Sequence, residues 1–297
     1  MTPRMQVSWL SDGRLHLNDG PIDLIIGCDG AAQAREAALA AAVARFDGLL
    51  DELCAELPVL RCVPGARPPD GPVARRMWRS VQPFASDTFI TPMAAVAGAV
   101  AEEVLGAMVS AAPLARAYVN DGGDIALHLT FGAAYDVGLI DRPDRPALFG
   151  RTRIGFADAV RGIATSGWRG RSHSLGIADA VTVLAASAAL ADAAATLIAN
   201  AVDLPSHPAV LRVPARDLQP DSDLGERLVT RAVGRLSPLE IDAALASGAV
   251  YAGSLRARGL IQAAALHLAG RVHIVGDVPV APRAPDVLAT HEAALHA

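Results

Sequence analysis

Lysine is missing from all 297 residues, so each of the 26 basic side chains is arginine. We read this as the base composition of the coding sequence rather than a functional device. The arginines are dispersed and the net charge is −5, which argues against a nucleic-acid-binding surface. Aromatic residues make up 4% of a chain that is 52% hydrophobic, so the core must be built from Ala, Val and Leu, with helices approaching closely. Three cysteines, Cys28, Cys54 and Cys62, form an odd set without metal-ligand spacing. A reduced, cytoplasmic protein is the expectation. The opening residues carry no apolar signal core and no lipoprotein-type cysteine. The longest apolar stretch, residues 180–202, is interrupted by Asp192 and rich in alanine, so it reads as a core segment and not a membrane span. Glycine patterns of the dinucleotide-binding and P-loop kinds are absent, and so is a nucleophile elbow, which weakens a hydrolase reading.

What is present reads as a mixture of strands and helices. Residues 7–10 and 14–17 flank Ser-Asp-Gly and predict a hairpin, with residues 22–26 as a third strand. Residues 31–57 predict one long amphipathic helix. Residues 58–72 carry five prolines and two glycines and predict a connector. Arg75, Arg76 and Arg79 beside Trp78 form a basic cluster, either a solvated helix face or a phosphate contact. Thr91 and Pro92 open a helix over residues 93–109, with a small-residue face of Ala94, Ala97, Gly98 and Ala101. That face suits close helix packing or ligand approach, and the free N–H groups at the helix start suit an anion.

Residues 117–120 and 125–130 read as strands joined by Asp121-Gly-Gly-Asp124. A plain turn needs only one of those glycines, so the second suggests a backbone that also touches a ligand. Residues 136–146 read as a polar connection and residues 152–156 as a short strand. Residues 162–176 read as a loop of small and polar residues, residues 180–184 as a buried strand, and residues 187–202 as a helix on which Asp192 and Thr196 share a face. A carboxylate on that apolar face needs a cation, a metal or a hydrogen-bond donor. Residues 207–213 predict a strand, residues 224–235, 237–246 and 249–267 predict helices, and residues 271–275 a last strand. Ser237 and Glu240 form a capping-box pattern.

The Thr165-Ser-Gly167 loop, the Val181-Thr-Val183 strand and the Ala191-Asp-Ala-Ala-Ala-Thr196 helix, in that order, resemble the ApbE superfamily of FAD:protein FMN transferases. Tyr118-Val-Asn-Asp-Gly-Gly-Asp-Ile125 is similar to the family's N-x-G-G-D strand and turn. Thr91-Pro-Met-Ala-Ala-Val-Ala-Gly98 occupies the place of its glycine-containing helix, without the usual lysine. The family's H-I-x-D-P-x-T-G segment appears here only as His173-Ser-Leu-Gly176. The chain therefore resembles a short, uncharacterised branch.

The resemblance implies an α+β fold, with antiparallel sheets, packed helices and a T-fold-related pair of halves. It implies one domain over residues 1–278, with its motif core at 91–202 and a loose tail at 279–297. It also implies magnesium at Asp192 and Thr196, with FAD or FMN held by Thr91, Met93, Asn120, Asp121, Gly122, Gly123, Asp124, Thr165, Ser166, Gly167 and Ser174. His173, set among serines, and Asp179, beside the loop, are the candidates for acid–base work. The expected partners are a nucleotide-like ligand, an acceptor protein and a second copy of the chain, with neither nucleic acid nor membrane. FMN transfer from FAD or FAD hydrolysis is the leading activity. An enzyme acting on another coenzyme intermediate, or a flavin-binding scaffold, is the alternative.

Overall fold

A computed structural model describes residues 4–140 and 148–277 of the chain. The expected tail at 279–297 lies outside the described residues. In order the elements are β1 (Gln6–Trp9), β2 (Leu15–Asp19), β3 (Ile22–Asp29), α1 (Ala32–Phe46), α2 (Leu49–Leu60), α3 (Pro72–Val81), a 3₁₀ turn (Pro92–Ala95) and α4 (Val96–Ala111). Then follow β4 (Arg116–Asp121), β5 (Asp124–Leu129), β6 (Ala134–Ile140), β7 (Leu148–Gly155), β8 (Gly162–Ser166), β9 (Ala180–Ala185) and α5 (Ala188–Ala201). The described residues close with β10 (Val210–Pro214), α6 (Ala215–Leu218), β11 (Leu228–Val233), α7 (Pro238–Ala257), β12 (Ala263–Leu268) and β13 (Arg271–Val275).

Nine strands form one antiparallel sheet in the order β1-β2-β3-β4-β5-β8-β9-β12-β13. The expected α+β architecture is what the structure has. The sheet narrows where β5 meets β8, whose register holds only Ile125↔Ile163 and Ala126↔Gly162. Leu15, Leu17, Leu24 and Ile26 alternate along β2 and β3 and are buried in the main core, as period-two patterning requires. A smaller apolar cluster under the β6–β7 hairpin includes Leu127, Ile154, Ile163 and Leu184.

The Ala-rich helices pack as tightly as the composition demands. A Cβ at Gly98 of α4 would stand 2.4 Å from the backbone oxygen of Ala188 and 2.6 Å from the nitrogen of Ala189, at the start of α5. Close packing therefore accounts for the glycine of the small-residue face. Residues 92–111 form 20 residues of helix with mean hydropathy 1.5, apolar enough to span a bilayer by length and composition. Here Val100, Val104 and Met108 are buried in the main core instead.

Several elements depart from expectation, each for a tertiary reason. The helix expected over residues 31–57 breaks at Gly48, whose φ of 76° separates α1 from α2. Residues 162–166 are not loop but β8, a strand held between β5 and β9. Residues 134–140, partly expected as a connection, pair with β7 as β6. Residues 228–233 are β11, paired with β10, where a helix was expected. The helix expected over residues 249–267 stops at Ala257, and all six residues of β12 are buried between β9 and β13. Alanine favours helix only as a weak local bias, which pairing inside a sheet overrides.

The capping box at the start of α7 forms as expected, with Ser237 Oγ accepting from the Glu240 N–H and the Glu240 carboxylate accepting from the Ser237 N–H. Arg76 pairs with Glu102 at 3.1 Å and Glu103 at 2.7 Å, so this member of the basic cluster ties α3 to α4. Two carboxylates thus occupy the Arg76 guanidinium, in place of the phosphate contact considered for the cluster.

Candidate functional site

The β4–β5 hairpin turns on Gly122 and Gly123 alone, with φ of 60° and 119°. A two-residue turn with both central φ positive matches the twist of a hairpin and favours glycine at both places. It sets Asp121 directly opposite Asp124 in the register, two carboxylates side by side at the end of the sheet. Asp121 Oδ1 accepts from the Asp23 N–H at 3.3 Å, and Asp124 Oδ1 accepts from the Thr165 N–H at 3.0 Å. Asn120 Oδ1 accepts from the Gly123 N–H at 2.8 Å and braces the turn.

Asp192 approaches from α5, where Ser187 caps the helix start by accepting from the Leu190 N–H. Its Oδ2 accepts from the Gly98 N–H of α4 at 3.1 Å. Among the described residues, no arginine or histidine pairs with it. Burial drives its pKa well above the ordinary carboxylate range, and the neighbouring Asp124 and Asp121 charges push the same way. Burial is also the main cause that lifts Asp121 and Asp124 to about 7 each, against opposing hydrogen bonds and the attraction of Arg171.

Around these groups lies a cavity of about 470 Å³. Asn120, Asp121, Gly122, Gly123, Asp124, Thr165, Ser166, Gly167, Asp192 and Thr196 all line it. Thr165 and Thr182 face each other with their hydroxyls 2.9 Å apart. Val137, Gly138 and Ile140 of β6 contribute an apolar wall.

Among the polar lining residues, Thr182 and Arg171 were not proposed as site residues from the sequence. Thr182 lay within a quoted motif, but Arg171 was one arginine among many. The residue that marks it is Gly122, because a Cβ there would overlap the Arg171 guanidinium at 1.7 Å. Replacing Gly122 by Ala should therefore displace Arg171 and strain a positive φ, at a cost of about 1–3 kcal/mol. A denaturant midpoint unchanged from wild type would contradict this.

Five expected site residues stand elsewhere. Thr91 is buried and donates its hydroxyl to Asp223 Oδ2 at 2.5 Å, and Met93 packs against the main core. The hydroxyl of Ser174 donates to Asn200 Oδ1 at 3.2 Å, under the end of α5. His173 is half-buried and does not line the cavity. Asp179 accepts from Arg169 Nε at 2.6 Å and from the Ala269 N–H at 2.7 Å, on a separate small cavity that His267 also lines. That ion pair anchors the loop after β8, so residues 170–172 reach the large cavity while residues 173–176 pass towards α5. Among the described residues, no three His, Cys, Asp or Glu side chains are gathered at metal-binding distance.

The family described as "AbpE bacteria" matches residues 7–274. The chain belongs to that family. Relatives of the AbpE chain include a UPF0280 protein of Methanopyrus kandleri, 44% identical over 130 residues, which are 43% of this chain and 48% of that protein. Another UPF0280 protein, from Methanosphaerula palustris, is 39% identical over 123 residues, 38% of this chain and 47% of that protein. The chain thus spans about half the length of the curated relatives it matches. The crystal structure of the flavinyl transferase ApbE of Pseudomonas stutzeri in its apo form is similar at a TM-score of 0.41 and 12% identity, over 93% of this chain and 95% of that one. The reading of the chain as a short branch of the ApbE superfamily agrees with the family match.

Proposed function

We propose that the cavity between the β4–β5 turn and α5 binds a flavin nucleotide or a similar diphosphate together with magnesium, and that the protein acts on that diphosphate. One observation carries the reading. Asp192 is a half-buried carboxylate with no cation partner among the described residues, and it shares its cavity with Thr196, Asp121 and Asp124. A charge shielded from water without a partner is costly, and a divalent cation at Asp192 would offset it while lowering the potential that the other two carboxylates create.

The donor set fits magnesium, which prefers hard oxygen ligands and keeps positions for phosphate oxygens and water. Asp192 and Thr196 would hold it, and Asp124 lines the same cavity. When bound, magnesium would supply charge neutralisation at the phosphate oxygens. Arg171 supports the same reading, because a guanidinium fork matches phosphate geometry. Thr165 and Thr182 offer hydroxyls to polar groups, and the β6 wall offers apolar contact to a ring. FMN transfer to an acceptor hydroxyl and hydrolysis of FAD would both break the diphosphate with AMP as the leaving group, and they differ only in whether a protein hydroxyl or water forms the new bond to the FMN phosphorus.

Calorimetric titration of FAD with and without magnesium tests the binding. Wild type should bind FAD at least about tenfold more tightly with the metal, a difference of about 1.4 kcal/mol. Asp192→Asn should erase that difference, and equal heats for the two proteins would sink the idea. A second reading, flavin binding without turnover, is favoured by the positions of His173 and Asp179 outside the cavity. Magnesium-dependent FMN release from FAD separates the two.

A further inference from the structure

We infer that the chain carries a second small-molecule site, distinct from the cavity at the β4–β5 turn and fitted to an apolar or aromatic acid. A cavity of about 620 Å³ lies between β7, the turn that follows it, the end of α7 and the β12–β13 pair. It shares no residue with the aspartate-lined cavity. Pockets that hold drug-sized ligands fall in the same range of volume.

Its chemistry divides into a floor and a rim. Ile154, Val160, Leu184, Ile261 and Ala263 line it and are all buried residues, a surface for a ring or a branched apolar group. Arg153 and Arg256 stand on the rim as exposed side chains. Arg153 pairs only with Asp136, at 3.2 Å, and Arg256 with Asp277, at 3.5 Å, among the described residues. Exposed pairs of this kind contribute little, so an incoming anion can take over either guanidinium. The other acidic residue on the cavity, Asp158, is engaged by the Gly155 N–H at 2.7 Å and caps its own turn.

Gln262 also lines the cavity, and its Oε1 is buried without a hydrogen-bond partner among the described residues. An unmade bond at a buried acceptor is unfavourable, and rotation of the amide would bring it to a ligand N–H or O–H. The combined requirement is an apolar body, one anionic group and one donor.

Anilinonaphthalene sulfonate has all three features and serves as the probe, titrated by fluorescence into the full chain. Wild type should show saturable enhancement at one site, unchanged by saturating magnesium and FAD. Arg153→Glu with Arg256→Glu should weaken binding at least about tenfold by reversing both rim charges. Ala159→Trp, on the exposed edge of the cavity, should abolish the signal by filling the space while the melting curve stays that of wild type. Absence of saturable enhancement in folded wild type would overturn the site. So would equal affinity in both variants, which would assign the dye to other apolar surface. Loss of the signal on adding FAD would place the dye in the aspartate-lined cavity and overturn the independence of the two sites.

Discussion

Freed of divalent metal, the protein should lose stability steadily as pH rises through the acid-to-neutral range, and magnesium should restore it. Asp121 and Asp124 have folded-state pKa values raised from 3.8 to about 7, and Asp192 is raised as well, all chiefly by burial. Below 3.8 the folded and unfolded states are both protonated at these groups, and the full stability is present. Between 3.8 and about 7 the unfolded chain releases protons that the folded chain retains, so unfolding gains with each step in pH. Above about 7 the loss is complete for Asp121 and Asp124.

Each tenfold change in proton affinity is worth about 1.4 kcal/mol, which gives a ceiling of about 4 kcal/mol for one such group and less than twice that for two that interact. Water entering the open side of the cavity lowers that ceiling, so the sum should be several kcal/mol. For a chain of this size, each kcal/mol moves the melting point by about 2–4 °C. The metal-free melting temperature should therefore fall by roughly 10 °C between about pH 5 and about pH 8. Magnesium should recover most of it at the upper end, where the carboxylates are ionised and able to ligate. Asp192→Asn should raise the metal-free melting point at high pH and remove the magnesium response. A melting point that stays level over this range, with or without metal, would contradict the picture of a carboxylate cluster shielded from water.

Gly98→Val should be strongly damaging although Gly98 lies outside the cavity. The atoms that a Cβ would meet are the backbone of Ala188 and Ala189 at 2.4–2.6 Å, and backbone cannot rotate aside as a side chain can. The helices must separate, and overpacking of this kind costs about 3 kcal/mol or more. The same displacement moves the Gly98 N–H away from Asp192, so magnesium-dependent FAD binding should fall with stability. Gly106 lies on the same helix with nothing within 4 Å of its added Cβ. Gly106→Ala should be neutral or stabilising by about 0.5–1 kcal/mol. Parallel urea denaturation decides the matter, and similar midpoints for Gly98→Val and Gly106→Ala would refute the packing argument.

The sequence by itself determined the parts of this protein that depend on local chemistry. The Gly122-Gly123 pair demands a tight turn, and that turn places Asp121 opposite Asp124 whatever the rest of the chain does. Ser187 and the residues after it make α5, which puts Asp192 and Thr196 one turn apart on a common face. Ser237 and Glu240 start α7 by the same local logic. Only the tertiary structure decided which side chains meet across long separations. Arg171 reaches the cavity because Gly122 leaves room for its guanidinium. His173 misses it because Arg169 and Asp179 clamp the loop first, and that clamp depends on the Ala269 N–H ninety positions away. Residues 162–166 and 263–268 became strands because the edges of β9 needed partners on both sides, and buried backbone groups must be paired. Local propensity is a difference of tenths of a kcal/mol per residue, whereas a buried unpaired peptide group costs several times more, so the sheet prevailed over the alanine-rich sequence.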